Sequence, residues 1–196
     1  MTGRMAWTAV AAAATALTIL PAAMPMPLAL LWNATASTPV GLYRLQAPGA
    51  LHDGELVALM PPAPIASFLA RGGFLPCGVP LLKHIVALPG QTVCRVGDTV
   101  TIDGKAAGVA LDSDHLGRPL PRWSGCRTLI QGQVFLMNPA VPDSLDGRYF
   151  GSIPASSIVG QAIPVWLPRA AGVLASAPFP PFLNQQPKGT SHVADR

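Results

Sequence analysis

Residues 81–93 read LLKHIVALPGQTV and decide how the rest of the chain is interpreted. The first seven are apolar apart from Lys83 and His84, and the Leu-Pro-Gly at 88–90 ends them with a turn, which predicts a strand. Lys83 therefore stands in apolar surroundings, where lost hydration penalises the ammonium form and lowers the pKa of the amine. A neutral amine can take the proton from a serine hydroxyl, which is too weak a nucleophile unaided.

Other short segments of β-branched and apolar residues, bounded by turn residues, predict further strands. With the segment above, the predicted strands are residues 54–60, 81–87, 91–96, 99–102, 134–137 and 158–167, and one short helix is predicted at 64–71. Asp103-Gly104 predicts a hairpin turn, because glycine accepts positive φ without a steric penalty. Pro164 lacks a ladder donor, which predicts an edge position for the last strand. We therefore expect a mainly β domain at 33–169 and a flexible, Pro-rich tail at 170–196.

Composition limits the classes of function. Half of the 196 residues are apolar and 11% are charged, which is about half the charged share of a soluble domain. The net charge of +4 comes from basic residues dispersed along the chain, whereas a nucleic-acid binder gathers Lys and Arg into a patch. Nucleic acid is therefore not an expected partner.

The N-terminal region carries the longest uncharged run. No charged residue occurs between Arg4 and Arg44, and residues 5–24 read MAWTAVAAAATALTILPAAM. Because a helix of about 20 residues spans the hydrocarbon core of a bilayer and a basic residue favours the cytoplasmic side, we expect residues 1–32 to form a membrane anchor. A cleaved secretory signal is the alternative, since the Ala-Thr-Ala at 34–36 resembles a cleavage site. Either way the remainder is expected to be exported.

The chain has three cysteines, an odd number for an exported domain. An oxidising compartment would allow a disulfide between Cys94 and Cys126, leaving Cys77 over. The sequence does not fix the connectivity, so pairing of Cys77 with either of the others stays open. Cys77 as a catalytic nucleophile is disfavoured, because no histidine stands in a convincing partner motif.

Two further segments carry polar residues suited to catalysis. Residues 33–45 read NATASTPVGLYRL, and Ser37 in this segment is a candidate nucleophile for Lys83. Residues 141–154 read VPDSLDGRYFGSIP and place two acids, a serine and an arginine close together. Simpler interpretations compete: Ser37 as a helix cap or a turn residue before Pro39, and Lys83 as an edge-strand residue with its ammonium in water.

The three segments together resemble the type I signal peptidases, and within them the conjugative transfer signal peptidases known as TraF. The resemblance covers residues 34–167 and rests on the Ser-x-Pro-x-Gly-Leu-Tyr run at 37–43, the lysine strand with its Leu-Pro-Gly, and the Ser-x-Asp-x-Arg run at 144–148. It implies a mainly β, signal-peptidase-like domain with a coiled antiparallel β-sheet, behind one N-terminal transmembrane helix.

The resemblance also implies roles for individual residues. Ser37 matches the nucleophile and Lys83 the general base. Thr35 matches the position whose hydroxyl helps the Ser37 amide to stabilise the oxyanion. Ser144 matches a hydroxyl that orients the lysine amine.

Asp146 and Arg148 match a paired acid and base that brace the site. Two positions depart from the family pattern. The residue after the lysine is usually Arg and here is His84; since a strand turns neighbouring side chains to opposite faces, the lysine and His84 cannot both face the nucleophile. Some relatives use His as the base, which makes His84 the alternative. Between Asp146 and Arg148 the residue is often Ser and here is Gly147, which puts one hydrogen bond of the brace in doubt.

The function implied by the resemblance is an endopeptidase that cleaves exported proteins after small residues, without metal or cofactor. Its site would lie in the periplasm, at the surface of the bacterial inner membrane that a single-pass anchor crosses. The expected partners are exported precursors, above all a pilin precursor, the inner-membrane lipid and the conjugation apparatus. Some members of the subgroup also join the pilin ends into a ring, and nothing in the sequence shows whether this chain does. The alternatives are a general signal peptidase and a catalytically idle docking component of a pilus or secretion apparatus.

Overall fold

The computed structural model describes residues 2–23 and 29–168 of the chain. Within them the secondary structure is mainly β, which confirms that part of the expected fold class. The elements are α1 (Thr2–Ala23), β1 (Leu30–Asn33), β2 (Gly41–Gln46), β3 (Leu56–Leu59), α2 (Ala63–Arg71), β4 (Leu81–Ala87), β5 (Thr92–Val96), β6 (Thr99–Ile102), β7 (Lys105–Val109), β8 (Gly125–Thr128), β9 (Gln133–Met137), α3 (Gly147–Phe150), β10 (Ile153–Pro154) and β11 (Ile158–Trp166). The tail predicted at 170–196 lies outside the described residues.

The described strands form two antiparallel sheets. The larger has the order β1-β2-β11-β3-β4-β9-β10 and the smaller the order β7-β6-β5-β8. β4, the strand that contains Lys83, pairs with β3 on one side and with β9 on the other. The interpretation of Lys83 as an edge-strand residue is therefore wrong.

β11 corrects the prediction that a proline places this strand at an edge. It lies inside the larger sheet, between β2 and β3. Its first half, up to Gln161, pairs with β3, whereas Pro164 pairs with Tyr43 of β2 in the second half. Because the described pairing with β3 ends before Pro164, the missing N–H breaks no ladder on that side.

The strands predicted from periodicity, and the short helix, are found within two residues of their expected ends. The hairpin turn at Asp103-Gly104 is also confirmed, since both residues have positive φ and Ile102 pairs with Lys105. Strands β1, β2, β7, β8 and β10 were not predicted. β7 and β8 have little or no buried face, and so no alternating pattern. β2 does have a buried face and was missed although its residues alternate.

β4 is fixed by all three apolar clusters of the core. Leu82 packs with Tyr43 and Ala58, Ile85 with the cluster around Val57 and Leu136, and Ala87 with the cluster around Phe135 and Val100. Each large aliphatic side chain buried in this way contributes about 2 kcal/mol. The position of the strand that carries Lys83 is therefore determined from both faces of the sheet.

Cys94 and Cys126 lie directly opposite each other on β5 and β8, and a disulfide joins them. Cys77 is free and exposed. Of the pairings that the sequence left open, the structure contains Cys94–Cys126. This disulfide links β5 and β8 of the smaller sheet.

The alanine-rich N-terminal segment forms α1, as the high helix propensity of alanine favours. The described part of the chain contains no helix that is long and apolar enough to cross a membrane. The expected transmembrane helix is therefore not supported. The larger sheet begins with β1 at Leu30, inside the range 1–32 that was assigned to the anchor.

Candidate active site

Lys83 is a buried amine on an interior strand. The residue is 3% exposed, and Leu136 and Leu145 line the small cavity beside it. Burial lowers the pKa of the amine to about 8; the Asp146 carboxylate raises that pKa and the Arg148 guanidinium lowers it. With such a pKa, roughly one molecule in ten carries a neutral amine at pH 7.

Ser144 holds the lysine amine in place. Lys83 Nζ donates a hydrogen bond of 2.7 Å to Oγ of Ser144, which is itself buried. The backbone amide of Ser144 donates to the carbonyl oxygen of Val141, and its carbonyl oxygen accepts from Arg148. The backbone that presents the Ser144 hydroxyl to the amine is therefore fixed by hydrogen bonds at both its amide and its carbonyl group.

Asp146 and Arg148 form a buried, bidentate ion pair. Arg148 Nε donates to Asp146 Oδ1 at 3.0 Å, and Nη2 donates to Oδ2 at 2.9 Å. The carboxylate also accepts from the backbone amides of Asn138 and Arg148, and through the second of these bonds Asp146 caps the N-terminus of α3. Arg148 Nη2 donates in addition to the carbonyl oxygens of Val141 and Ser144. The pair therefore fixes the loop that presents the Ser144 hydroxyl.

Ser37 lies in the loop between β1 and β2, which one buried asparagine organises. The Asn33 Nδ2 group donates to the carbonyl oxygens of Thr35, Thr38 and Pro39 at 2.9, 2.9 and 3.1 Å. Its Oδ1 atom accepts from the amide and the hydroxyl of Thr35. Ser37 is half-buried, and its hydroxyl lies 3.4 Å from the Thr35 hydroxyl.

Ser37, Lys83, Thr35 and Ser144 all line one cavity of about 400 Å³. Its walls are largely apolar and include Leu31, Leu69, Leu75, Leu81, Leu82, Val141 and Leu145. Within the described residues no hydrogen bond joins Ser37 to Lys83. The Ser37 hydroxyl instead contacts that of Thr35, and the Lys83 amine donates to Ser144. Four of the six predicted site residues thus share one space, and the ion pair reaches it through Ser144.

His84 does not line that cavity. Its Nδ1 atom lies 3.2 Å from Oδ1 of Asn138. Burial lowers the pKa of the His84 imidazole; the hydrogen bond to Asn138 raises that pKa, and the charge of Lys83 lowers it. Of the two neighbouring residues on β4, the lysine is the one whose side chain shares a space with Ser37.

Sequence reasoning missed several buried polar residues that shape the site, namely Asn33, Thr38, Arg95 and Asn138. Arg95 Nη1, on the smaller sheet, donates to the carbonyl oxygen of Arg148 at 2.7 Å. Thr38, Arg95 and Asn138 carry no spacing signal, because each has a partner more than 40 residues away in the sequence. Asn33 bonds within its own loop, but a single asparagine there has no characteristic pattern. Among the residues described, no group of three or more His, Cys, Asp and Glu is placed to hold a metal ion.

Residues 2–167 match the model of a protein family described as signal peptidase, peptidase S26. The chain belongs to this family. It is 39% identical over 143 residues to the probable conjugal transfer protein TraF of Sinorhizobium fredii, an alignment that covers 66% of this chain and 73% of the relative. It is 35% identical over 145 residues to the conjugal transfer protein TraF of Agrobacterium fabrum, covering 68% and 80%. These relatives confirm the resemblance to the TraF subgroup.

Among solved structures, the chain is similar to a signal peptidase I from Enterococcus faecalis. The sequence identity is 21% and the TM-score is 0.35, and the match covers 59% of this chain and 98% of that one.

Gly147, the departure inside the Ser-x-Asp-x-Arg run, leaves no room for a side chain. A Cβ atom there would lie 2.7 Å from the carbonyl oxygen of Leu136 and 2.8 Å from the ring of Phe135. The residue offers its carbonyl oxygen to Trp123 Nε1 instead, at 3.0 Å. A serine at this position would therefore require Leu136 and Phe135 of β9 to shift.

We expect the substitution Gly147→Ala to destabilise the protein by about 1–3 kcal/mol, because the added methyl overpacks a site without space. Urea denaturation measures the change. Gly49→Ala is the matched control, since a Cβ atom at Gly49 meets nothing within 4 Å, and its effect should stay within about 0.5 kcal/mol. Equal stability of the two variants would contradict the packing argument.

Proposed function

We propose that this protein is a serine endopeptidase, with Ser37 as nucleophile and Lys83 as general base, that matures an exported precursor during conjugation. The observation that carries the proposal is the buried amine of Lys83, with a pKa lowered to about 8, in the cavity that Ser37 also lines. Family membership supports the reaction class. The names of the TraF relatives, which are conjugal transfer proteins, support the process.

The proposed reaction starts from the neutral amine. Ser37 Oγ attacks the carbonyl carbon of the scissile peptide bond while its proton passes to Lys83 Nζ. Collapse of the tetrahedral intermediate breaks the C–N bond, and the lysine ammonium returns the proton to the leaving amine. Water then attacks the acyl-enzyme with the lysine again as base, which frees Ser37.

Negative charge that develops on the substrate oxygen needs hydrogen-bond donors to stabilise it. The backbone N–H of Ser37 and the hydroxyl of Thr35 are the two candidates, and such a donor is worth about 3 kcal/mol in the transition state. In the structure the Thr35 hydroxyl donates to Asn33 Oδ1 at 2.9 Å. It must therefore leave Asn33 and turn toward the oxyanion when substrate binds.

The lysine and the serine also need to approach each other. Catalytic hydrogen bonds are commonly long before substrate binds and shorten in the complex. Ser144 restrains the position of the Lys83 amine, because its Oγ atom accepts the 2.7 Å hydrogen bond from Nζ. Rotation of the Ser37 hydroxyl from Thr35 toward the amine completes the proposed dyad.

The proposed substrate is a peptide with small apolar residues at the cleavage site. Support comes from the largely apolar walls of the cavity, which suit apolar side chains beside the scissile bond. A pilin precursor is the substrate that we propose first. Resolution of the acyl-enzyme by an amine of the pilin itself, in place of water, would yield a ring.

Coexpression with a candidate pilin precursor tests the dyad. Ser37→Ala and Lys83→Ala should each abolish processing, because one removes the atom that forms the acyl-enzyme and the other the amine that takes its proton. Mass spectrometry of the pilin measures the result. A cyclic product would be lighter than the linear one by one water. His84→Ala is the control and should retain processing.

Processing that survives Ser37→Ala would overturn the proposed nucleophile, and loss with His84→Ala but not Lys83→Ala would transfer the role of base. Cleavage of unrelated secreted precursors would favour a general signal peptidase. A wild-type chain that cleaves neither the pilin precursor nor unrelated secreted precursors would support the idle docking component.

The pH dependence of cleavage follows from the lowered pKa of Lys83. The base must be neutral, so kcat/KM should rise with pH, pass its midpoint near pH 8 and level off above it. Below the midpoint the rate should fall about tenfold per pH unit, as for one required deprotonation. A quenched fluorescent peptide with an Ala-x-Ala site measures the profile. A midpoint below the ordinary histidine pKa of about 6.5 would contradict the lysine and point to His84, whose pKa burial lowers.

We also propose that the catalytic domain faces the periplasm at the inner membrane. The uncharged run between Arg4 and Arg44 and the Cys94–Cys126 disulfide support this location. Labelling of denatured protein from cells with a maleimide should mark one thiol, that of Cys77. After reduction, the internal control, all three cysteines should react. Three reactive thiols without reduction would place the domain in the cytoplasm and overturn the proposal.

A further inference from the structure

Asn138 is a buried residue that none of the roles above uses. It follows directly after β9 and is 2% exposed. Its Nδ2 group donates to the carbonyl oxygen of Leu82 at 3.1 Å and to the hydroxyl of Thr38 at 3.3 Å. Leu82 precedes Lys83 and Thr38 follows Ser37. One side-chain amide therefore bridges the strand of the proposed base and the loop of the proposed nucleophile.

The other polar atoms of Asn138 reach the rest of the site. Its Oδ1 atom lies 3.2 Å from Nδ1 of His84, the residue that follows Lys83 in the sequence. Its backbone amide donates to Asp146 Oδ2 at 3.0 Å, and its carbonyl oxygen accepts from Arg148 at 3.5 Å. Asn138 thus contacts β4 on both sides of Lys83, the nucleophile loop and the buried ion pair.

We infer that Asn138 is a positioning residue, which holds the Ser37 loop and β4 at the separation that proton transfer between Ser37 and Lys83 requires. The inference rests on the function proposed for those two residues. Asn138 does not line the cavity, so it acts through its neighbours and not on the substrate.

Distance is what makes such a residue matter. Proton transfer needs heavy atoms about 2.6–3.2 Å apart, and a misplacement of about 1 Å can cost about 100-fold in rate. The two elements come from parts of the chain 44 residues apart, and the described side-chain bonds between them include the direct Thr38–Leu82 contact of 3.4 Å. The Asn138 amide adds two bonds at the same point and fixes both partners of that contact.

The test replaces Asn138 in the full chain with alanine and uses a quenched fluorescent peptide with an Ala-x-Ala site. We expect kcat to fall by about 10- to 100-fold while KM stays within about twofold, because the substrate cavity keeps its lining. Gln133→Ala is the matched control. Gln133 is an amide at the other end of β9 that accepts from the Ile130 amide, and its removal should leave kcat and KM unchanged.

A second readout does not depend on activity. The chain has three lysines, Lys83, Lys105 and Lys188, so NMR of labelled lysine side chains can follow the Lys83 amine alone. When the two elements separate in Asn138→Ala, water should reach this amine and raise its pKa from about 8 toward the ordinary value. The midpoint of the pH–rate profile should rise with it.

Thr38→Val provides the variant for the case in which Asn138→Ala does not fold. It removes one hydrogen-bond acceptor of the Asn138 side-chain amide. We therefore expect kcat to fall and the Lys83 pKa to rise, each by less than in Asn138→Ala. A folded Asn138→Ala protein with unchanged kcat and unchanged Lys83 pKa would overturn the inference. So would a Thr38→Val protein without either change, should the alanine variant be unfolded. Failure of the proposed function is recognised separately, by Ser37→Ala retaining activity, and in that case the Lys83 pKa alone decides whether Asn138 positions the amine.

Discussion

The structure around the site depends on the burial of one amine. Lys83 lies on an interior strand and is held from both faces of the sheet by apolar side chains. Desolvation of a lysine is costly in its charged form, and the protein limits that cost in two ways. The Ser144 hydroxyl accepts a hydrogen bond from the amine, and the Asp146 carboxylate stabilises its charge. The result is an amine that is neutral in part of the molecules near physiological pH.

The same constraint explains the buried polar network behind the amine. A buried carboxylate and guanidinium stabilise a fold only when their other hydrogen-bonding groups are satisfied. Here the Asp146–Arg148 pair is joined by backbone groups of Val141, Ser144 and Asn138. Among the described residues, no buried side-chain nitrogen or oxygen lacks a hydrogen-bond partner. The network is therefore complete, and it holds the site loop rigidly to β9.

The smaller sheet takes part in the site through polar contacts. Arg95 on β5 donates to the carbonyl oxygen of Arg148, next to Cys94 and its disulfide. Trp123 donates to the carbonyl oxygen of Gly147 and packs against Phe135 of β9. The two sheets are thus joined at α3, the short helix that Asp146 caps and that contains Arg148, so the position of the ion pair depends on both sheets.

The sequence by itself determined strands β3, β4, β5, β6, β9 and β11, the hairpin turn and the lysine in apolar surroundings, because local periodicity and turn chemistry encode them. It also singled out Ser37, Thr35, Ser144, Asp146 and Arg148, through short runs that resemble a family. Tertiary structure alone decided that β11 lies inside the sheet despite Pro164, since strand order depends on pairing between distant segments. It also decided the places of Asn33, Arg95 and Asn138, because a lone polar residue acquires its partners only when the chain folds. The burial that makes Lys83 a candidate base was visible as a local pattern, whereas the hydrogen bonds that orient it come from residues about 60 positions away.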